Sequence, residues 1–259
     1  MKISVVIPVF NTKAEYLWAA IDSVLQQTYQ CHELIIVNDG STRKETIDEL
    51  DKLFKYERPW LLFRIRHIIH QENKKISGAL NTGIRNMTGD WWTGCGSDDT
   101  WYPDKLLWQV DFIRRRQEAS VIYCDWDYID AKGKIIGHFK EPEFVTRQDA
   151  GKYIIRNYFG TWGGMMVHRS VFDVVGLFNE AFPTREDYEM NVRILNKFMM
   201  YRVPKTLFTY RLHPEQLTNS SHAGSRSADG KKYTEIARDL AIEFFGNEND
   251  RKQFPTGRY

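Results

Sequence analysis

The chain has 259 residues, 42% of them hydrophobic and 14% aromatic, a composition typical of a folded protein with one large α/β domain or two small ones. With 36 basic and 34 acidic residues the formal net charge is +2, and no basic stripe of the kind found in nucleic-acid-binding proteins is present. The three cysteines are unevenly spaced without a CxxC pair, which indicates reduced thiols and not a disulfide framework or a zinc site.

The lengths of the apolar runs in the sequence also indicate the cellular compartment. The apolar run at the N-terminus is too short for a signal peptide, and no run approaches the roughly 20 apolar residues of a membrane span. We therefore expect a cytoplasmic protein. Peripheral attachment to the inner face of a membrane stays open.

The N-terminal part alternates strands and helices. The predicted strands are 3–7, 34–37, 61–69 and 90–95, and the first two helices begin after Thr12 and at Glu45. Thr12 and Glu15 have the spacing of a capping box at the start of the first helix. Alternation with short connections predicts a parallel sheet, and the right-handed crossover rule places the loops after the strands along one edge.

After residue 105 the alternation becomes less regular. The predicted elements are a helix over 106–117, strands over 121–126 and 135–139, a helix over 146–157, a flexible break over 160–164, a strand over 165–167, helices over 170–175 and from Glu186, a strand over 208–213 and a last helix over 233–245. Residues 218–232 are rich in Ser, Gly, Asn and Ala, which predicts a flexible loop of the kind that closes over bound ligands.

Two adjacent carboxylates, Asp98 and Asp99, follow the apolar strand 90–95, and Pro103 then opens a helix. Ligands of open α/β sheets bind at the carboxyl ends of the strands, where Asp39 also lies. Neighbouring carboxylates repel each other and are stabilised by a hard divalent ion, which would also neutralise a diphosphate. By itself such a turn is better explained as a solvated one, and Glu186 and Asp187 as acidic residues that favour a helix start.

Taken together, six segments resemble family 2 of the inverting glycosyltransferases, over about residues 1–215. They are VVIPVFN at 5–11, IVNDGS at 36–41, the stretch from Asn73 to NTGI at 81–84, SDD with PDKL within 97–106, VGLFNE at 175–180, and Glu186-Asp187. The resemblance rests on the six segments together, because they occur in the order and with the spacing found in the family. It implies an α/β GT-A (Rossmann-like) fold, with a mostly parallel sheet flanked by helices and a C-terminal acceptor-side region and helix.

The same resemblance implies a domain organisation. Residues 1–217 would form the glycosyltransferase domain, with a nucleotide-sugar-binding half at 1–105 and an acceptor-binding half at 106–217. The flexible loop at 218–232 and a C-terminal helix and tail at 233–259 would follow.

Roles for individual residues follow from the resemblance. Pro8, Phe10, Asn11, Asp39, Asn73 and Asp98 would bind the nucleotide, Asp99 and His213 a divalent metal (Mn²⁺ or Mg²⁺), and Asp187 would be the general base; Lys75, Glu186, Arg211 and Trp162 would contact the diphosphate or the acceptor. Two positions depart from the family pattern. Many members have an acidic residue where this chain has Gly96, and the usual glycine after the Asn73 region is Lys75.

The implied function is metal-dependent, inverting transfer of a hexosyl or N-acetylhexosaminyl group from a UDP-sugar to a glycan, lipid-linked or protein acceptor, as in polysaccharide biosynthesis. Two alternatives stay open. A nucleotidyltransferase would carry a glycine- and arginine-rich phosphate loop near the N-terminus, which 8–11 is not. A sugar-nucleotide-binding module without activity would not require Asp187.

Overall fold

The computed structural model describes residues 1–55, 65–217 and 227–254. The strands are β1 (Ile3–Val9), β2 (Glu33–Asn38), β3 (Ile65–Ile69), β4 (Trp91–Gly94), β5 (Thr100–Trp101), β6 (Val121–Ile129), β7 (Ile135–Phe139), β8 (Met166–His168) and β9 (Met200–Arg211). The helices are α1 (Ala14–Leu25), α2 (Lys44–Lys55), α3 (Lys75–Asn86), α4 (Lys105–Arg115), α5 (Arg147–Ile154), α6 (Arg169–Val175), α7 (Glu186–Lys197), α8 (Ala228–Phe245) and α9 (Glu248–Gln253).

Within these residues the strands form one sheet in the order β3-β2-β1-β4-β8-β6-β9-β5, and β7 pairs with β6. The half from β3 to β4 is parallel, as predicted. Beyond β4 the pairing is antiparallel except for β6 with β9. The mostly parallel sheet of the prediction therefore describes the N-terminal half, and the complete sheet is mixed.

Helices cover both faces of the sheet, which explains why all seven residues of β1 are buried. One hydrophobic core lies under α1, α2 and α4 and includes Leu17, Leu50 and Val110. The other lies under α3 and α5 to α8 and includes Leu80 and Met190. The buried face of α1, formed by Leu17, Ala20, Ile21 and Val24, packs into the first of these cores.

Three local predictions were wrong. Thr12 does not cap α1, because its hydroxyl lies 2.7 Å from the hydroxyl of Ser97 and Lys13 is the residue before the helix. Strand β9 begins at Met200, since pairing with β6 extends it through Pro204, where bulges interrupt the register. Helix α8 begins at Ala228, five residues before the predicted start, with Ser227 as its N-cap.

The helical start of α8 removes 228–232 from the predicted flexible loop, and 218–226 lie outside the described residues. Residues 61–64 of the third predicted strand are also outside them. The predicted break at 160–164 instead contains a short 3₁₀ turn, Trp162–Gly164, with both glycines buried.

The three cysteines are buried free thiols, as predicted. Among the helices of the described chain, none combines the length and the hydropathy that crossing a bilayer requires.

Candidate active site

A single cleft runs along the carboxyl ends of β1, β2 and β4 and continues to the start of α7. It collects twelve of the thirteen residues that the sequence singled out: Pro8, Phe10, Asn11, Asp39, Asn73, Lys75, Asp98, Asp99, Trp162, Glu186, Asp187 and His213. The exception is Arg211, which does not line the cleft. The rule that the strand ends meet at one edge explains how residues this distant in sequence come together.

Asp39 occupies the end of β2 and is almost completely buried. Its Oδ1 accepts a hydrogen bond from the amide of Lys74 at 2.8 Å and lies 2.7 Å from Nδ1 of His70. The other ring nitrogen of His70 is 2.9 Å from the hydroxyl of Thr82. His70 therefore fixes the Asp39 carboxylate through Oδ1, and Thr82 supports His70. No motif of the sequence pointed to His70, and Thr82, although within the NTGI segment, was given no role.

Three residues that line the cleft have left-handed backbone. Asn11, Lys75 and Arg185 have φ values of 52°, 64° and 63°, and among the described residues they are the non-glycine positions with positive φ. Such conformations cost about 1–2 kcal/mol for a residue with a Cβ and concentrate at functional sites. The value for Lys75 explains why the family places glycine at this position.

Asn11 uses its side chain to hold the neighbouring loop. Its Oδ1 accepts hydrogen bonds from the amides of Thr42 and Arg43, both at 2.7 Å. Its own amide donates to the hydroxyl of Ser41 at 3.1 Å. Asn11 thus connects the loop after β1 to the loop after β2 at the rim of the cleft.

The two central carboxylates differ in their surroundings. Asp98 is partly exposed, and its Oδ2 is 2.9 Å from Nε2 of His213. Asp99 is buried, and its Oδ1 accepts the backbone amide of Arg211 at 2.9 Å. Burial, and then the charge of Asp98, raise the pKa of Asp99 well above its ordinary value.

Arg211 supports the turn that carries Asp98 and Asp99. Its Nε donates to the carbonyl oxygen of Asp98 at 2.7 Å, and its guanidinium lies 4.6 Å from the ring centroid of Tyr16. The guanidinium also donates to the carbonyl oxygen of Asp130. With these contacts Arg211 supports the Asp98–Asp99 turn and is not placed at the cleft surface.

The donor set at this turn suits a hard divalent ion. Carboxylate oxygens of Asp98 and Asp99 and the imidazole of His213 are ligand types that Mn²⁺ accepts, and Mg²⁺ is commonly bound by one or two carboxylates together with substrate phosphates. In the described part of the chain no three such side chains converge into a complete metal cage. An ion here would therefore need oxygen ligands from a diphosphate.

Gly96 keeps the space beside the carboxylates open. A Cβ at this position would lie 2.6 Å from Oδ2 of Asp99, so the Asp99 carboxylate would have to shift, and 3.1 Å from Oδ1 of Asp98, a tight contact. An acidic residue at this position would therefore require the Asp99 carboxylate to move from the place that it has here.

At the other end of the cleft α7 begins with Glu186 and Asp187, as predicted. The hydroxyl of Tyr158 donates to Oδ2 of Asp187 at 2.5 Å, and the amide of Tyr188 donates to Oδ1 at 2.8 Å. Burial raises the pKa of Asp187, and the hydrogen bond from Tyr158 opposes this shift. Burial and the charge of Asp187 raise the pKa of Glu186 to about 8.

Aromatic side chains form the wall of the cleft between these two ends. They are Trp126, Tyr128, Phe139, Tyr158, Trp162 and Tyr210. Trp126 and Phe139 stack with ring centroids 4.2 Å apart. Sequence reasoning found only Trp162 among them, because aromatic residues on β6, β7 and β9 are indistinguishable from core residues until the sheet order is known.

Fold and cleft together define a glycosyltransferase with a GT-A fold. The sequence model of glycosyl transferase family 2 matches residues 4–176, and the chain belongs to this family. The matched region ends before α7. Asp187 therefore lies outside the matched region.

The chain is similar to curated glycosyltransferases over most of its length. A protein of Rickettsia felis described as an uncharacterized glycosyltransferase is 32% identical over 217 residues, which are 83% of this chain and 35% of the relative. Glycosyltransferase GlyA of Streptococcus pneumoniae is 27% identical, over 84% of this chain and 31% of the relative. The chain thus spans about a third of the length of the first curated relatives that it matches.

Solved structures share the fold. S. aureus TarS 1–349 in complex with UDP-GlcNAc has a TM-score of 0.69 at 17% identity, covering 98% of this chain and 73% of that one. The same fragment in complex with UDP has a TM-score of 0.66 at 18% identity, covering 97% and 68%.

Proposed function

We propose that the chain transfers a sugar from a UDP-sugar to a hydroxyl group of a glycan, lipid-linked or protein acceptor, with inversion at the anomeric carbon and with a divalent metal ion. The observation that carries the proposal is that one cleft is lined by Asp39 and Asp98 at the strand ends and by Asp187 at the start of α7. Family membership supports sugar transfer. The TarS complexes with UDP and UDP-GlcNAc support a UDP-sugar as the donor.

The nucleotide would bind at the end where Asp39 lies. His70 and the amide of Lys74 both contact Oδ1 of Asp39. Its other oxygen, Oδ2, would therefore accept a hydrogen bond from the base or the ribose. Pro8, Phe10 and Asn73 line this end of the cleft. Phe10 is 47% exposed, which leaves its ring as an apolar surface for the base.

The metal would be held by Asp99 and His213 together with oxygen atoms of the diphosphate. Once bound, it would supply positive charge for the leaving UDP. Lys75 lines the cleft near Asn73, and we assign it a contact with the diphosphate.

Asp187 would act as the general base. Its carboxylate would take the proton of the acceptor hydroxyl while the oxygen attacks the anomeric carbon from the face opposite UDP. The new carbon–oxygen bond forms as the bond to UDP breaks, so the configuration inverts. Burial suits this role, because it brings the pKa of Asp187 closer to neutral. The aromatic wall would hold the acceptor, since such rings combine apolar faces with polar edges.

The deciding experiment is a panel of nucleotide-sugars tested for thermal stabilisation of the chain with Mn²⁺ and with a chelator. We expect UDP and one UDP-sugar to raise the melting temperature, and Mn²⁺ to increase the shift. The UDP-sugar so found would then be offered with acceptors, and the anomeric configuration of the product read by NMR. Stabilisation by an ADP- or GDP-linked sugar in place of UDP would overturn the donor assignment.

A further inference from the structure

Two buried side chains, Glu141 and Asn191, hydrogen-bond to the backbone of the segment 158–162. The amide of Gly160 donates to Oε1 of Glu141 at 2.7 Å. Nδ2 of Asn191 donates to the carbonyl oxygens of Phe159 at 2.8 Å and of Gly160 at 2.7 Å. Glu141 is 2% exposed and Asn191 is fully buried. The backbone of the segment is therefore fixed by partners from two different parts of the fold.

This segment carries the side chains that contact the acidic pair of α7. Tyr158 donates to Asp187 at 2.5 Å, and the side chain of Trp162 hydrogen-bonds Glu186. Asn191 lies four residues after Asp187 on α7, so it shares a face of the helix with Asp187. One helix thus carries both the carboxylate and the residue that anchors the segment facing it.

We propose that Glu141 and Asn191 are positioning residues that hold Tyr158 against Asp187, and that through this hydroxyl they set how readily Asp187 accepts a proton. The inference deepens the proposed function, because it rests on Asp187 being the base of the transfer. Neither Glu141 nor Asn191 lines the cleft, and nothing in the sequence motifs distinguishes them.

The physical argument is a balance of two effects on one carboxyl group. Burial raises the pKa of Asp187, and a hydroxyl that donates to its ionised form lowers it. The other charged or titratable groups that face Asp187 are Arg185 and Glu186 at the start of its own helix, and Glu141 lies behind Tyr158. If the segment 158–162 moves away, Asp187 loses the hydrogen bond from the Tyr158 hydroxyl. The effect of burial, which raises the pKa of Asp187, is then almost unopposed.

The first test is Tyr158→Phe, followed by NMR titration of the Asp187 carboxyl carbon in aspartate-labelled protein, with the resonance assigned by its absence in Asp187→Asn. We expect the titration of Asp187 to move to higher pH. The matched control is Tyr188→Phe, since this neighbouring hydroxyl donates to the carbonyl oxygen of Ile154 at 2.6 Å. An Asp187 titration that is the same in Tyr158→Phe and in the wild type would overturn the inference.

The second test asks whether the two buried residues act through Tyr158. Glu141→Ala and Asn191→Ala are titrated alone and in the Tyr158→Phe background. We expect each to move the Asp187 titration as Tyr158→Phe does, and to add nothing when Tyr158 is already Phe, as a double-mutant cycle shows for residues acting in series. If the shift in the Asp187 titration of each double variant equals the sum of the shifts of its two single variants, the inference is overturned. If one of the variants does not fold, the other completes the cycle.

Glu141→Gln supplies the conservative rescue. Its amide oxygen still accepts the Gly160 amide, so we expect a titration of Asp187 close to that of the wild type. A shift as large as that of Glu141→Ala would mean that the segment does not depend on this hydrogen bond.

Transfer kinetics separate this inference from the proposed function. For Tyr158→Phe we expect kcat to fall on the acidic side of its pH profile, because a smaller fraction of Asp187 is ionised there once its titration has moved to higher pH, with the KM for the donor nearly unchanged. The acidic limb of the kcat profile should move to higher pH together with the NMR titration. A moved NMR titration with an unmoved kcat profile would uphold the positioning role and refute Asp187 as the base.

Discussion

Oδ2 of Asp98 and Nε2 of His213 lie 2.9 Å apart, although 115 residues separate them in the sequence. The folding of β9 beside β5 brings the second residue to the first. A carboxylate and an imidazole at this distance can bind one divalent ion between them or share a proton.

We expect UDP to bind more tightly with Mn²⁺ than with a chelator, and His213→Gln to reduce this gain by about 10-fold, the usual effect of losing a metal-supporting side chain. Calorimetry of UDP binding under both conditions is the measurement. His138→Gln is the matched control, because Nδ1 of His138 lies 2.6 Å from Asp127 in a similar pair that does not line the cleft. Equal UDP affinity with Mn²⁺ and with chelator in the wild type would refute the metal assignment.

Asp39→Asn should weaken UDP binding while the fold is kept. The change removes the charge of a buried acceptor, and a hydrogen bond to a charged group contributes about 1.5–3 kcal/mol, or roughly 10- to 100-fold in affinity. Asp48→Asn serves as the control, since Asp48 is paired with Lys44 on the outside of α2. Unchanged affinity in Asp39→Asn, with an unchanged melting temperature, would show that the nucleotide binds elsewhere.

Lys75 allows backbone strain to be separated from charge. Lys75→Gly and Lys75→Ala both remove the amine, but only glycine tolerates the φ of 64°. We therefore expect the glycine variant to be more stable than the alanine variant by about 1 kcal/mol, measured by urea unfolding. Both should lose UDP affinity equally if the amine contacts the diphosphate. Equal stabilities of Lys75→Gly and Lys75→Ala would contradict a strained backbone at position 75.

The parts of the fold that sequence predicted are those set by local pattern. Strand β1, helix α1 and the start of α7 at Glu186 were found because they follow from patterns among a few neighbouring residues. Asp39 and Asp98 were likewise expected at the same edge of the sheet, because both follow the carboxyl ends of parallel strands, and both line one cleft.

What sequence missed depends on distant partners. Thr12 has a capping pattern, but Ser97, 85 residues away, takes its hydroxyl. Arg211 resembles a phosphate-binding side chain, but the Asp98–Asp99 turn packs over it. His70 could not be selected from the sequence, because only the pairing of β2 with β3 shows that it faces Asp39.

Glu186 predicts a pH dependence of stability. Its pKa in the folded chain is about 8, above the ordinary 4.5, so the folded state holds this proton more tightly than the unfolded state. The stability that this group contributes is complete below pH 4.5 and is lost as the pH rises through about 8. Glu186→Gln cannot lose a proton, so relative to the wild type it should be more stable at pH 9 than at pH 5.

Urea unfolding at both values is the measurement for Glu186. The control is Glu189→Gln on the same helix, where Glu189 is paired with Arg193 at 2.7 Å and its replacement should destabilise at both values. A Glu186→Gln variant that follows the wild type at both pH values would contradict the buried, proton-holding environment of Glu186.

Asp187→Asn distinguishes a catalytic base from a residue that only favours the start of α7. Asparagine is nearly the same size and is accepted near helix starts, so the free energy of unfolding should fall by no more than about 1 kcal/mol. It cannot take a proton at neutral pH, and loss of a general base typically reduces the rate about 10²- to 10⁴-fold. UDP affinity should stay close to normal, because the charge lost lies at the end of the cleft that we propose for the acceptor, away from Asp39.

The measurement for Asp187→Asn is the transfer rate beside UDP affinity in one preparation, with the pH profile of the wild type as its companion. Since Asp187 must be ionised to take the proton, the wild-type rate should fall as the pH drops through the raised pKa of this group. Glu186→Gln is the neighbouring comparison: it also removes a buried carboxyl group from the start of α7, but Tyr158 donates to Asp187 and not to Glu186. If Asp187→Asn kept near-normal turnover while Glu186→Gln lost it, the base would be Glu186, and Asp187 would serve only the helix.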